Sequence, residues 1–294
     1  VNSNHRSVEV FGTTFQNPIL LAAGTAGFGI ELVDVIDLDK LGGIVTKAVS
    51  PEPRNGNTGP RVAEFSGGML NAVGLANPGM EHVDHIELPW LADHVSRARV
   101  LVNVVGSRAE DFAAVVRRLD HHAVVTAFEL NVSCPNTDRG NEEFAADRSI
   151  LTDLISGCRD STDKPLVVKL PPTISDLPGT AETAAQAGAD GFTLINTIPG
   201  MVFRFDGPDR NPEPSLGFGR GGVSGPALLA VGVLATSTVH ERTGLPIIGV
   251  GGVCTLDDVR QYLTAGASLV AVGTASFADP RVPQRLAAAW TKHG

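Results

Sequence analysis

Residues 246–275 read PIIGVGGVCTLDDVRQYLTAGASLVAVGTA. The stretch opens on an apolar run, Pro246–Val250, turns on glycines, and enters a segment with helical spacing, VRQYLTAG. Thr255 and Asp258 have the spacing of a capping box ahead of that helix, and Gly266 suits its C-terminal stop. A second apolar run, Ser268–Gly273, follows. A strand, a helix and a second strand joined by short turns form the repeating unit of parallel α/β proteins.

The same unit recurs outward along the chain. Six further runs predict strands: Asn17–Ala23, Gly43–Lys47, Val100–Val105, Ala127–Ser133, Pro165–Leu170 and Gly191–Asn196. Most are nearly continuous in apolar residues, as in VLVNVVG, which suits strands buried on both faces. Ser107 with Glu110 predicts a capping box ahead of DFAAVVRRL. Segments near 33–41, 148–160, 179–187, 226–243 and 282–291 also read as helices. At about 150 residues per domain, 294 residues would allow two domains, but single α/β barrels run to this length. Eight units without a long linker predict one domain over 1–294, an α/β (β/α)8 TIM barrel. A doubly wound open sheet gives the same alternation and is the alternative.

Two excursions depart from a minimal barrel. One spans about 48–98 and holds SPEPRNGNTGPR and GMLNAVGLANPG. The other spans about 197–224 and is rich in Pro and Gly. Both follow the C-terminal end of a predicted strand, the face on which barrels build their sites, so both are expected to wall or cover a site.

Composition narrows the function classes. Hydrophobic residues make up 43% and charged residues 19%, a globular balance. The net charge of −9 argues against nucleic acid or an anionic membrane as partner. No apolar run reaches the roughly 18 residues of a membrane span, and no signal peptide is evident, so a soluble, cytoplasmic protein is expected. Three cysteines, Cys134, Cys158 and Cys254, are neither a disulfide framework nor the ligands of an ordinary iron–sulfur cluster. No metal site is expected, and redox chemistry would need an organic cofactor.

Polar residues end the predicted strands. Lys47 ends GIVTK, Asn131 ends AFELN, Lys169 ends PLVVK, Asn196 ends GFTLIN, and Asn103 lies inside VLVNVVG. Only five lysines occur in the chain, and two stand here. The plain alternative is that each ends its strand in solvent or pairs with an acid. Their convergence on one barrel rim favours a site. The last two strands end in glycines, in IIGVGGV and LVAVGTA. Gly251, Gly252, Gly273 and Thr274, with Gly225 from the second excursion, could cradle a phosphate through backbone N–H groups. Neither a Walker motif nor a Rossmann fingerprint is present.

NVSCPNTDRG is the sharpest signal. Cys134 opens a polar loop beyond the fourth strand, where an accessible thiol near lysines could act as base or nucleophile. Cys158 and Cys254 read as small core hydrophobes. His121 and His122 end a helix and suit its dipole, and no histidine is assigned chemistry.

The set GNTGPR, MLNAVGLANPG, ELNVSCPN, VVKLPP, INT, GVGG and AVGTASFADP resembles the class 1 dihydroorotate dehydrogenases. AAGTAGFG and MLNAVGLANPG look most like class 1B, the NAD-linked catalytic subunits. The resemblance runs from about residue 8 to 290. It implies an FMN-binding barrel that oxidises dihydroorotate to orotate in pyrimidine biosynthesis, with Cys134 as the catalytic base. It places substrate contacts on Lys47, Asn71, Ala72, Val73, Gly74, Leu75, Asn131, Asn136, Asn196 and Thr197. It places FMN contacts on Ala23, Lys47, Ala48, Asn103, Asn131, Lys169, Ile195, Gly225, Gly251, Gly252, Gly273 and Thr274. It also implies a homodimer, and a partner subunit with FAD and an iron–sulfur cluster in a heterotetramer.

Three departures stand out. Ala23 replaces the family's usual serine, the loop NTDRGNEEF differs from the commoner form, and 203–220 is unusually rich in Arg and Pro. The membrane-linked class 2 enzymes carry an N-terminal extension and a serine base, and neither is read here. The rival readings are a dihydropyrimidine dehydrogenase-type subunit acting on uracil or thymine, a fumarate-using class 1A enzyme, and a non-catalytic phosphate- or flavin-binding barrel. Asn136 in Cys-Pro-Asn favours orotate over the first.

Overall fold

The computed structural model describes residues 7–132, 144–205 and 211–293. Eight parallel strands close into a barrel: β1 (Ile19–Leu21), β2 (Gly43–Val45), β3 (Arg99–Val104), β4 (Val125–Asn131), β5 (Leu166–Leu170), β6 (Gly191–Leu194), β7 (Ile247–Val250) and β8 (Leu269–Val272). Each of the eight expected runs overlaps one of them; β3 begins one residue and β4 two residues earlier than expected. Spatial order follows chain order, and β8 pairs back onto β1 with Val270 opposite Ile19 and Val272 opposite Leu21. That closure removes the open doubly wound sheet.

The strands alternate in the way a closed sheet requires. Ile19, Ile44, Val102, Phe128, Val168 and Phe192 point outward and join the large core beneath the helices. Leu20, Val45, Leu101, Ala127, Val167 and Ile248 form a second cluster inside the barrel. Ahead of β1, a hairpin of Val8–Val10 and Thr13–Phe15 adds Val10 and the fully buried Phe15 to that inner cluster. Glycines make room for it at the N-terminal end of the strands. A Cβ on Gly191 would lie 2.8 Å from the Phe11 ring, and one on Gly43 would lie 3.4 Å from the Phe15 ring. This end of the barrel is plugged, so a ligand is left the other end.

Helices at Ala109–Leu119, Arg148–Arg159, Leu177–Gln186, Leu229–Thr243, Leu256–Thr264 and Val282–His293 occupy expected segments. Thr255 and Asp258 make the anticipated capping box. Two expectations need correction. The cap before Ala109 is made by Asp111, not by Ser107 with Glu110: its carboxylate accepts from the N–H groups of Ser107 (2.8 Å) and Arg108 (3.1 Å). Residues 33–41 hold a single 3-10 turn, Leu38–Lys40, in place of a helix. Asp39 there accepts from the N–H groups of Ser96, Arg97 and Ala98, so the turn is tied to the start of β3. The first excursion also contains an unforeseen helical run of Met80–His82, Val83–Glu87 and Leu88–His94, whose middle part is a π-helix. Its buried residues Val83 and Leu88 stand five apart, a step off the α-helical period that a π turn accommodates.

The two excursions meet above the C-terminal ends of the strands. Val62–Phe65 and Gly68–Asn71 form a hairpin, Gly68–Asn71 pairs with Gly221–Ser224, and Gly221–Ser224 pairs with Ile198–Gly200. The result is a four-stranded antiparallel sheet built from distant parts of the chain. Among the described residues, no helix is long and apolar enough to cross a membrane.

Candidate active site

Between the barrel mouth and this covering sheet lies a cavity of about 380 Å³. Its size suits a small organic ligand. Every barrel strand contributes at its C-terminal end: Ala22 and Ala23 after β1, Lys47 and Ala48 after β2, Asn103 in β3, Asn131 in β4, and Lys169 in β5. Ile195, Asn196 and Thr197 follow β6, Gly251 and Gly252 follow β7, and Gly273 and Thr274 follow β8. The covering sheet and its loops add Asn71, Val73, Gly74, Leu75 and Gly225.

The strand alternation explains the polar floor. Asn103 continues the inward parity of Leu101, Asn131 that of Ala127, and Lys169 that of Val167. Asn103 is fully buried, and its Nδ2 donates to Glu129 Oε1 at 2.6 Å. Its Oδ1 is buried without a partner among the described residues. Thr193 Oγ1 donates to Glu129 Oε2 at 2.6 Å, and Lys169 Nζ lies 3.6 Å from Glu129 Oε1. Lys169 therefore pairs with an acid and also lines the cavity. Asn196 Nδ2 donates to Asn131 Oδ1 at 3.1 Å, which couples the ends of β4 and β6.

The glycine rim is held from behind. Gly251 (φ +127°) and Gly252 (φ +74°) take backbone conformations that side chains resist. The only tyrosine, Tyr262, is fully buried and donates its hydroxyl to the Gly251 carbonyl at 2.8 Å. Gly273 is different: an added Cβ would meet only Ala22 Cβ, at 3.8 Å, so its absence keeps cavity space open. On the covering side, Leu75 holds φ +57° beside Gly74, and Asn57 Nδ2 donates to the Ala72 carbonyl at 3.2 Å.

Most residues named from sequence thus converge. Ala72 does not: its side chain is buried with Leu70 and Leu216 in the covering sheet, away from the cavity wall. Cys134 and Asn136 lie outside the described residues. Cys158 is a core residue whose thiol burial pushes up to about 12. Cys254 was expected in the core but is exposed. Glu129 was missed, although its parity with Asn131 and its acid in an apolar strand were the available signals. Thr25, Met69, Ser224 and Phe277 also line the cavity and carried no sequence signal. Away from the cavity, Asp84, His121 and His122 bring their ligand-type atoms within 4.8 Å of one another, but Arg118 Nε already lies 2.7 Å from Asp84.

The dihydroorotate dehydrogenase family profile matches residues 6–291. The catalytic subunit of dihydroorotate dehydrogenase B (NAD(+)) from Listeria monocytogenes is 44% identical over 96% of this chain and 91% of its own length. The subunit of the same name from Bacillus thuringiensis is 44% identical over 95% of this chain and 88% of its own. The crystal structure of DHODH from Eimeria tenella in complex with ferulenol superposes with a TM-score of 0.78 at 22% identity, covering 96% of this chain and 82% of that one, and it speaks for the fold. The chain therefore belongs to the flavin-dependent dihydroorotate dehydrogenase family, on the side of the class 1B, NAD-linked catalytic subunits.

Proposed function

We propose that this chain is a cytoplasmic, single-domain catalytic subunit that binds FMN and oxidises (S)-dihydroorotate to orotate in pyrimidine biosynthesis. One observation carries the reading. Two lysines and three asparagines from β2 to β6 share a cavity with the glycine backbones after β7 and β8. A flavin mononucleotide needs both halves, a polar surround for its ring and backbone donors for its phosphate. Gly225, Gly251, Gly252, Gly273 and Thr274 would hold the phosphate. Ala23, Lys47, Ala48, Asn103, Asn131, Lys169 and Ile195 would surround the ring. The unpartnered Oδ1 of Asn103 fits such a group, because a buried acceptor is costly unless a ligand donor satisfies it. Ala23 cannot supply the hydroxyl that relatives with serine would offer.

Bound FMN supplies the acceptor for the hydride leaving substrate C6. Cys134, as thiolate, takes the proton from C5. A free thiol is only a few per cent ionised near pH 7, so positive charge from the lysines would help it. Lys47, Asn71, Asn131, Asn136, Asn196 and Thr197 pair with the substrate's N–H and C=O groups and its carboxylate. Val73, Gly74 and Leu75 close over it from the loop that follows the covering-sheet strand Gly68–Asn71. Lys169 would supply positive charge beside the flavin ring.

Electrons must then leave the chain. We propose a homodimer joined by a second subunit carrying FAD and an iron–sulfur cluster, in a heterotetramer that passes electrons to NAD. The test uses purified chain under anaerobic conditions. Dihydroorotate should bleach its yellow flavin and dihydrouracil should not. The chain alone should reduce a dye but form no NADH until the partner is added. Bleaching by dihydrouracil instead would move the substrate to uracil or thymine. Efficient turnover with fumarate would make it a class 1A enzyme. Flavin that dihydroorotate never bleaches would leave only a binding protein.

A further inference from the structure

The most deeply buried charged group near the cavity is not one that touches a ligand in the reading above. Glu129 is 1% exposed, lies inside the barrel, and is absent from the cavity wall. Its carboxylate meets three side chains from three other strands, Asn103 from β3 and Lys169 from β5 on either side and Thr193 from β6 one strand further on. Two of the three, Asn103 and Lys169, line the cavity.

A carboxylate only accepts hydrogen bonds, so the asparagine atom 2.6 Å from Glu129 must be the amide nitrogen. That choice fixes the other end. Asn103 then offers Oδ1, the atom without a protein partner among the described residues. Thr193 donates to the second carboxylate oxygen and stops the Glu129 side chain from rotating. The same carboxylate draws the Lys169 ammonium toward its own oxygen and offsets its charge.

We propose that Glu129 is a positioning residue that sets both the hydrogen-bond polarity and the charge of the cavity floor. Through Asn103 it makes the floor an acceptor for a ring N–H, and through Lys169 it tempers the positive charge beside the flavin. The proposal rests on the FMN reading given above. A purely structural role would require only that the buried carboxylate be satisfied.

The test compares Glu129→Gln with the parent chain in two measurements. A glutamine can turn its NH2 toward Asn103, letting that amide flip and present a donor to the cavity. It also leaves Lys169 without its counter-charge. Titration of FMN into apoprotein should show about tenfold weaker binding, since one buried hydrogen bond is mismatched. The two-electron potential of the bound flavin should rise by about 30 mV, a tenfold change in the equilibrium, because the floor is more positive. Parent-like affinity together with parent-like potential would overturn the proposal. If the glutamine variant fails to fold, Thr193→Val serves, since it keeps the carboxylate and removes one of its anchors. About threefold weaker FMN binding is expected there, and an unchanged affinity and potential would overturn the proposal equally. A parent chain that binds no FMN would instead sink the cofactor reading on which the proposal rests.

Discussion

The barrel rim and the sheet that covers it face one cavity and are built by different rules. The rim is made of strands flanked by a core on both sides, and its polar side chains sit at fixed inward positions of an otherwise apolar alternation. The covering sheet joins segments far apart in the chain: Asn71 stands opposite Gly222, and its amide donates to the Gly222 carbonyl at 3.3 Å. Its cavity face is the partly exposed one, with the lining residue Val62 48% exposed at the sheet's edge, while Ala63, Leu70 and Val223 pack the other face against Leu216. A rim locked by two cores suits a resident cofactor, which gains from a fixed geometry. A half-solvated sheet suits a substrate that must enter and leave. The two regions should therefore govern different observables.

The largest effect is expected where the chain leaves the rim, after β4. Cys134→Ser should keep FMN bound and slow its reduction by dihydroorotate by orders of magnitude near neutral pH. The gap should narrow at high pH, because a serine hydroxyl is a far weaker acid than a thiol. Stopped-flow bleaching measures it, and a rate within about threefold of the parent at neutral pH would remove Cys134 from the mechanism.

The rim itself comes next. Gly273→Val places a side chain in open cavity space, so it should fold and lose FMN by about tenfold or more, read as flavin absorbance per mole of protein. Gly251→Val should also lose FMN, but at φ +127° it adds backbone strain and is the less clean probe. Full flavin content in Gly273→Val would place the phosphate elsewhere.

A change in the covering sheet should move substrate and spare cofactor. Asn71→Ala removes an amide from the cavity wall. It should raise KM for dihydroorotate by about tenfold, one hydrogen bond's worth, with flavin content unchanged. A parallel fall in flavin content would break the proposed division between the two regions.

The smallest effect belongs to a region remote from both. Burial pushes the Asp84 carboxyl up, but the His122 hydrogen bond and the Arg118 charge outweigh it and hold the carboxyl below its ordinary range. A carboxyl depressed in the folded state adds stability above its unfolded pKa, and that contribution fades as pH falls through the folded one. Asp84→Asn should therefore lower Tm by a few degrees near neutral pH, with the difference closing below about pH 4 and flavin content untouched. A Tm gap that persists undiminished at pH 3 would assign the loss to packing.

How far the sequence reached differs between the two regions for a physical reason. The rim was legible because buried parallel strands announce themselves locally, and a lysine or asparagine in an apolar run is conspicuous. Glu129 obeys the same parity but is less conspicuous, because it lies two residues inside β4 and not at its end. The covering sheet was foreseen only as two excursions. Its strands are three or four residues long, and nothing local says that 68–71 pairs with 221–224. The helical run at 80–94 was hidden by its π turn, which breaks the period by which helices are recognised.

The amino-acid sequence by itself determined the eight strands, their parallel burial, the face on which a site must lie, and most of the side chains that reach it. These follow from alternation over a few neighbouring residues. Tertiary structure alone decided that the sheet closes, that two excursions become one cover, that Ala72 turns away, and that Asn103, Thr193 and Lys169 meet on Glu129. Those outcomes depend on strand register between residues 26 and 64 positions apart, as in the Asn103–Glu129 and Thr193–Glu129 bonds. Register over such distances is set by the packing of the whole barrel, which no short window of sequence contains.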